Sequence, residues 1–262
     1  MRKSVITACA AVLAAAVFGD ITGSVTTEQG DTHKGAVRWS TRDKAYAVTT
    51  KGGIEIQVKA TDVAELAIDK PAALDAAAAQ VEKGQGKAAI GALQKIVKEY
   101  AHLQWDKVAG GYLARAYIDA GDAQSGLKAC EAIIDVDPSA AFRGELAPAY
   151  WDALLKLDRK AKLEAALEKA AKSGDRFSSG AALVKRGDVI LAAKGDGADA
   201  TRQALSDGYL RVVLLYRDVP QIQPEALYKA SKCFERLGQS GRAESMRAQL
   251  KKDFASSPWA AK

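Results

Sequence analysis

Apolar residues recur three and four positions apart over most of the chain after residue 70, which is the spacing of an amphipathic helix. The segment 108–138 shows this most clearly, because two apolar stripes are separated by Gly121-Asp122 and the second ends at Pro138. Glycine accepts the left-handed conformation that often ends a helix, and proline cannot continue one. The segment therefore predicts two short helices joined by a tight turn, which must pack on neighbouring hairpins to bury their stripes.

Further helix pairs are predicted on both sides of this segment. They are 72–82 with 88–100, 146–157 with 161–171, 179–194 with 198–216, and a last pair that contains Leu227, Phe234 and Ala243. The pattern thus predicts a mostly α protein, in which residues 70–262 form a helical-repeat domain of about five hairpins.

Between residues 20 and 69 the apolar spacing changes from helical to alternating. The runs 35–39, 45–50 and 54–58 alternate, Gly52-Gly53 predicts a hairpin turn, and 63–68 predicts a last strand. The expected inner face of this small β module consists of Val37, Trp39, Tyr46, Val48, Ile54, Ile56 and Val58. A Gly-x-Val-x-Trp motif, an alternating strand, the Gly-Gly turn and a second alternating strand resemble, in that order, a small Sm-like or SH3-like barrel.

The segment 108–138 resembles a tetratricopeptide (TPR) repeat. With Leu113 as the seventh position, the residues that fall where the family places Tyr, Gly, Asp and the closing Pro are Tyr117, Gly121, Asp122 and Pro138. Three positions that usually hold larger residues are Gly110, Gly126 and Cys130. The resemblance implies a TPR-like α-solenoid, and the small residues predict tight or irregular helix packing at these positions.

The last fifty residues are similar to a second group of repeat proteins. The shared features are Leu-Leu-Tyr-Arg-Asp at 214–218, Pro-Glu-Ala-Leu-Tyr-Lys-Ala at 224–230, Leu237-Gly238 and Phe-Ala-Ser-Ser-Pro at 254–258. They resemble the C-terminal repeats of the Tol-Pal-associated periplasmic cell-division coordinator family and, more distantly, outer-membrane assembly lipoproteins. The resemblance implies a bacterial exported scaffold that binds other envelope proteins. Those coordinators begin with a coiled coil, whereas this chain begins with a predicted β module.

The first nineteen residues have the pattern of a secretory signal peptide. Arg2-Lys3 precede an apolar run from Val5 to Phe18, and cleavage is expected near Gly19. The segment Ile6 to Cys9 loosely matches a lipoprotein cleavage box, but few apolar residues precede Cys9, so a cleaved product without a lipid is favoured. We expect an exported protein, periplasmic or peripherally associated with the outer membrane.

The net charge of the chain does not point to a particular class of partner. The chain of 262 residues has 38 Lys and Arg and 32 Asp and Glu, and loss of Arg2 and Lys3 leaves 36 against 32, a net charge of +4. These charges are dispersed along the helices, so no nucleic-acid partner is expected. Cys130 and Cys233 lie on apolar stripes three hairpins apart, which predicts two buried thiols rather than a disulfide.

The sequence offers little chemistry. His33 and His102 have no neighbours at metal-ligand spacing, and Gly84-Gln85-Gly86-Lys87 lacks the spacing of a phosphate loop. Neither a nucleophile elbow nor a pair of catalytic carboxylates can be singled out. No enzyme activity, metal or cofactor is therefore predicted.

The TPR resemblance implies an inner groove lined by fixed positions of each first helix. These positions are Arg115 and Ile118 in the central repeat and Tyr228, Lys232 and Glu235 in the last. Tyrosine and arginine concentrate binding energy at interfaces. Tyr228 also suits simple packing on the preceding hairpin, and Lys229, Lys232 and Arg236, at spacings of three and four, also suit a solvated helix face.

Three classes of function remain open at this point. The first is a non-enzymatic envelope adaptor that binds other envelope proteins or peptide segments in the groove. The second is an intracellular nucleic-acid-associated protein that uses the β module, and the third is an enzyme or an envelope glycan binder with a site between the β module and the solenoid.

Overall fold

The computed structural model describes residues 21–262, which form two units divided between Asp69 and Lys70. The predicted signal peptide, its cleavage site and Cys9 lie outside the described residues. Among residues 21–262, no helix is both long and apolar enough to cross a membrane.

The first unit is a five-stranded antiparallel sheet. Its strands are β1 Thr22–Thr27, β2 Thr32–Ser40, β3 Ala45–Thr49, β4 Glu55–Lys59 and β5 Val63–Ile68, with a short 3-10 helix at Ala60–Asp62. The strand order is β4-β3-β2-β1-β5, so β4 and β5 end the sheet. The predicted small β module is confirmed as a fold class, and its Sm-like or SH3-like type stays a prediction.

The alternating pattern determines which side of the sheet is apolar. The register places six of the predicted inner-face residues on one face: Val37, Trp39, Tyr46, Val48, Ile56 and Val58. The buried Val25 of β1 joins this face through its pairing with β2. The larger apolar side chains therefore share one face, as the period of two in the sequence requires, while the small Ala45 and Ala47 of β3 are buried on the opposite face.

Ile54 is a correction to the predicted inner face, because its side chain is 66% exposed. It lies before the first residue of β4, and its carbonyl accepts a hydrogen bond from the Thr50 N–H at 2.9 Å, which closes the turn through Gly52 and Gly53. A residue in the turn does not share the alternation of the strand that follows it. The error is thus one of strand boundary.

The second unit is helical. Its helices are α1 Leu74–Glu82, α2 Gly86–Glu99, α3 Trp105–Asp119, α4 Ala123–Ile134, α5 Leu146–Lys156, α6 Lys160–Ala171, α7 Arg176–Lys194, α8 Ala198–Ala204, α9 Leu210–Leu215, α10 Gln223–Arg236 and α11 Ser240–Asp253. A π-helical segment, Leu205–Tyr209, joins α8 to α9, and short 3-10 helices lie at Pro138–Ala141 and Pro258–Ala261. Successive helices pack as five hairpins, and the predicted fold class is confirmed.

The turns of the hairpins follow local sequence signals. Gly84, Gly121 and Gly238 end their helices with positive φ, and Asp122 caps α4 by accepting a hydrogen bond from the Ser125 N–H at 2.9 Å. The turn between α5 and α6 has no glycine, and there Asp158 adopts a φ of +53°. Aspartate is among the residues that tolerate this conformation, so the hairpin forms without glycine.

The small residues of the central repeat permit close helix packing, as predicted. A Cβ at Gly126 would lie 2.9 Å from the Ala114 carbonyl oxygen, and one at Gly110 would lie 2.3 Å from Ile133 Cδ1. Cys130 is fully buried beside them. The space that the family usually fills with larger side chains is thus filled here by the facing helix.

The first helices of successive hairpins are neighbours. Helix α3 packs on α5 and α5 packs on α7, while Lys229 of α10 binds Asp188 of α7. We call the surface along α3, α5, α7 and α10 the first-helix face. The sequence predicts that a binding groove lies along this face, and that role stays a prediction.

Candidate functional site

Arg115 lies on the exposed side of α3, within the first-helix face. Its guanidinium lies 5.9 Å from the centre of the Tyr112 ring. The two residues line a 280 Å³ cavity together with Trp105, Val108, Gly111 and Glu145. Burial raises the pKa of Glu145, although the charge of Arg115 acts in the opposite direction. This end of the face thus combines aromatic surface with charges of both signs.

Ile118 lies one turn further along α3 and is half-buried. It packs against the main apolar core, and its Cγ1 lies near Gly126 of α4. The contact joins the two helices of the central hairpin. A role for Ile118 in partner binding stays a prediction.

Tyr228, Lys232 and Glu235 form a patch along α10. The Lys232 Nζ lies 3.0 Å from Glu235 Oε2 and 5.8 Å from the centre of the Tyr228 ring. Glu235 also pairs with Arg247 of α11. These three predicted residues are brought together, whereas Arg115 and Ile118 lie on the second hairpin, with α5 and α7 intervening along the chain.

A cluster of charged side chains joins α5, α7 and α10, and the sequence did not predict it. It consists of Asp152 on α5, Lys185 and Asp188 on α7, and Glu225 and Lys229 on α10, and we call it the charge cluster. The side chain of Lys185 is only 7% exposed, and that of Asp188 only 16%. Lysine and aspartate are almost never buried to this degree unless they are paired.

Asp188 is the centre of the charge cluster. The Lys185 Nζ donates to Asp188 Oδ2 at 2.8 Å and also pairs with Asp152. The Lys229 Nζ donates to Asp188 Oδ1 at 2.7 Å and to Oδ2 at 2.8 Å, and pairs with Glu225 at 2.6 Å. One carboxylate of α7 thus receives two ammonium groups, one from its own helix and one from α10.

The pKa values of Asp188, Lys185 and the neighbouring Tyr209 move away from neutrality. Burial alone would raise the pKa of Asp188, but Lys185 and Lys229 outweigh it and hold this pKa below its ordinary value. Burial alone would lower the pKa of Lys185, but the neighbouring carboxylates outweigh it and raise the pKa. Tyr209 donates its hydroxyl to Asp188 Oδ1 at 2.9 Å, and burial followed by that carboxylate raises its pKa. At neutral pH these groups hold fixed protonation states, which suits structure rather than proton transfer.

The two cysteines of the described chain are free and buried, as predicted. Burial is the main cause that raises the pKa of Cys130 to about 12 and that of Cys233 to about 11. Nucleophilic cysteines have a lowered pKa, so neither thiol is activated. Between Ile21 and Lys262, no three His, Cys, Asp or Glu side chains are close enough to hold a metal ion.

A second cavity, of 1040 Å³, lies between the third and fourth hairpins. Its apolar lining includes Leu163, Leu167, Val189 and Ile190, and charged residues of both signs, such as Arg186, also line it. It shares no residue with the charge cluster or with the predicted groove positions. We assign no chemistry to it.

Paired helices, left-handed turn residues and neighbouring first helices define the second unit as a TPR-like α-solenoid. No protein-family model matches the chain, and no curated protein matches it. Two solved structures are similar to it, both of a Podosopora anserina putative kinesin light chain with nearly identical TPR-like repeats, one of them a single-substitution variant. Both are 15% identical, cover 70% of this chain and 93% of the other, and have TM-scores of 0.42 for the variant and 0.40 for the second structure. Because these scores are low, the fold assignment rests on the helix pairing of this chain itself.

The charge cluster shows what the sequence analysis missed. Glu225 and Lys229 are four residues apart and Lys185 and Asp188 are three apart, which are the spacings of helical ion pairs. The sequence interpretation placed Lys229 on a solvated face. Its partner Asp188 is 41 residues away, so only the stacking of α10 on α7 reveals the contact.

Proposed function

We propose that this protein is a non-enzymatic adaptor whose helical unit binds segments of other proteins along the first-helix face. The observation that carries the proposal is a series of half-buried aromatic rings and exposed charged groups on this face, from Tyr112 with Arg115 to Tyr228 with Lys232. The charge cluster lies between them and joins α5, α7 and α10. A surface held in place before binding loses little conformational entropy on association.

The chemistry of the described residues supports binding rather than catalysis. The pKa of Asp188 is held below its ordinary value and those of Lys185 and Tyr209 above theirs, and the two thiols are buried. The sheet unit gives little support to the nucleic-acid alternative, because residues 21–69 have six Lys and Arg against seven Asp and Glu, a net charge of −1. Nucleic-acid affinity depends mainly on contacts of cations with phosphates.

The partners we propose are other proteins of the bacterial envelope. This part of the proposal rests on the signal-peptide pattern of residues 1–19 and on the resemblance of residues 214–258 to the Tol-Pal-associated coordinator family. An exported protein, periplasmic or peripheral to the outer membrane, would meet such partners. Fractionation of cells that express a C-terminally tagged chain tests export, since a full-length chain retained in the cytoplasm would contradict it.

The binding surface is tested by capture from native envelope extract. The bait is residues 20–262, compared with a variant in which Arg115, Tyr228 and Lys232 are replaced by alanine. A matched control replaces Lys98, Lys128 and Lys251, which are exposed residues of the second helices α2, α4 and α11. We expect a specific partner that the groove variant loses and the control variant retains. Equal capture by all three baits would move the binding surface away from the first-helix face.

A further inference from the structure

The chain after α11 folds back onto α10. Helix α11 ends at Asp253, and residues 254–262, which we call the tail segment, include the 3-10 helix Pro258–Ala261. Its described backbone hydrogen bonds are local, for example from the Ser257 N–H to the Phe254 carbonyl and from the Ala260 N–H to the Ser257 carbonyl, both at 2.9 Å. The tail segment is thus held on α10 by side-chain packing.

Trp259 makes this contact. Its ring centre lies 5.2 Å from that of Tyr228, with 42° between the ring planes. The Lys229 Nζ lies 5.9 Å from the same tryptophan ring, and the Lys262 Nζ lies 3.9 Å from it. Tilted rings at this distance and a cation near a ring face are both favourable arrangements.

The residues that contact the Trp259 ring, Tyr228 and Lys229, are held in place by contacts outside the tail segment. Lys229 is fixed by Asp188 and Glu225 of the charge cluster, and Tyr228 packs on the main apolar core. The Trp259 ring itself is only half-buried. The ring of Trp259 therefore covers a surface built by α7 and α10, while Phe254 and Ala260 of the tail segment pack against the main apolar core.

We propose that Tyr228 and Lys229 form a binding surface for an aromatic side chain, that Trp259 occupies it in cis, and that a partner segment presenting an aromatic residue after a proline binds by displacing the tail segment. We infer a proline followed by an aromatic residue in the partner because the tail residues that occupy this surface are Ser257-Pro258-Trp259. The inference rests on the proposed function, because Tyr228 belongs to the predicted partner surface.

Displacement is feasible because opening the tail segment breaks no strand pairing and no long-range backbone hydrogen bond among the described residues. Segments with few buried contacts open locally at a small fraction of the global stability. A covered site binds with an apparent affinity reduced by the fraction of open molecules. Removal of the Trp259 ring should therefore strengthen binding of an external aromatic segment.

The test uses the whole described chain and a fluorescein-labelled peptide with the sequence of residues 254–262. Binding is followed by fluorescence anisotropy to the wild-type chain, to Trp259→Ala and to the exposed control Lys251→Ala. We expect Trp259→Ala to bind the peptide about 10- to 100-fold more tightly than the wild-type chain, as expected if the covered state dominates by that ratio. The control should bind like the wild type.

Two further binding measurements test whether the peptide binds at Tyr228 through its tryptophan. Tyr228→Ala in the Trp259→Ala background should lose the gain, and a peptide with alanine in place of the tryptophan should not bind. Circular dichroism first confirms that every variant is folded. Equal affinity of the wild type and Trp259→Ala, absence of binding to both, or an unchanged gain in the double variant would each overturn the inference.

The results separate this inference from the proposed function. Peptide binding that fails while the groove variant still loses its envelope partner leaves the adaptor in place and removes the cis-occupied surface. If the peptide binds as expected but no envelope partner is captured, the cis-occupied surface stands and the envelope adaptor is removed. A wild-type dimer in sedimentation that Trp259→Ala dissociates would show exchange of tail segments between two copies, which would overturn displacement by a different partner.

Discussion

Replacement of Asp188 by asparagine tests whether the charge cluster stabilises the contact between α7 and α10. The substitution keeps the shape of the side chain and removes the charge that receives Lys185, Lys229 and the Tyr209 hydroxyl. Breaking a buried ion pair from one side typically costs about 3–5 kcal/mol. Here the cost is smaller, because Lys185 still forms an ion pair with Asp152 and Lys229 still forms one with Glu225.

In the variant, the side-chain oxygen still accepts hydrogen bonds, but it no longer carries the negative charge that strengthens them. Hydrogen bonds to charged groups contribute about 1.5–3 kcal/mol each, and the asparagine oxygen retains part of that. We expect the free energy of unfolding to fall by about 2 kcal/mol. Urea denaturation followed by circular dichroism at neutral pH measures the change. The control is Asp199→Asn, whose carboxylate pairs with Arg202 at 2.7 Å but is fully exposed, and which should unfold like the wild type.

The same variant gives a prediction for pH. The pKa of Asp188 is lower in the folded chain than in the unfolded chain. Its contribution to stability is therefore present above the unfolded pKa of about 3.9 and is lost as the pH falls through the folded pKa. The difference between wild type and variant should be constant near neutrality and shrink below about pH 4. An Asp188→Asn variant no less stable than the Asp199→Asn control at pH 7 would refute the reasoning.

Two further predictions concern packing and the thiols. Gly126→Ala should destabilise the chain by about 1–3 kcal/mol, because its Cβ would lie 2.9 Å from the Ala114 carbonyl oxygen, whereas Gly91→Ala, with nothing within 4 Å, should stabilise α2 by about 0.5–1 kcal/mol. Thermal unfolding measures both, and shifts of the same sign would contradict the packing argument. Cys130 and Cys233 should react with a chromogenic disulfide reagent only slowly in the folded chain and rapidly in urea, because their thiols are buried and their pKa values are about 12 and about 11; fast reaction under native conditions would contradict this.

Local signals were enough to predict the helical unit. Helix ends depend on residues next to one another, such as Gly121 with positive φ and the Asp122 cap, and the apolar period directly reports which stripe is buried. The small residues Gly110 and Gly126 also predicted close packing correctly. These features are readable because each is determined within one or two helical turns.

The sheet was predictable only where its strands alternate. Strand β1, Thr22–Thr27, was not singled out, because Val25 is the one large apolar residue in a segment of Thr, Gly and Ser. It nevertheless lies between β2 and β5, where both edges of its backbone are hydrogen-bonded. The backbone pairing that holds such a strand leaves little trace in its side chains.

By itself, then, the sequence determined the period of each segment, the helix ends and the two kinds of unit. The tertiary structure decided which charges are buried and which of the predicted partner-binding residues are covered. From the sequence Lys229 was interpreted as a solvated lysine, whereas in the structure it binds Asp188 of α7. Tyr228 was predicted to be a partner-binding residue, whereas in the structure the ring of Trp259 packs on it. Contacts between residues some thirty to forty positions apart depend on how hairpins stack, and periodicity along one helix contains no information about that stacking.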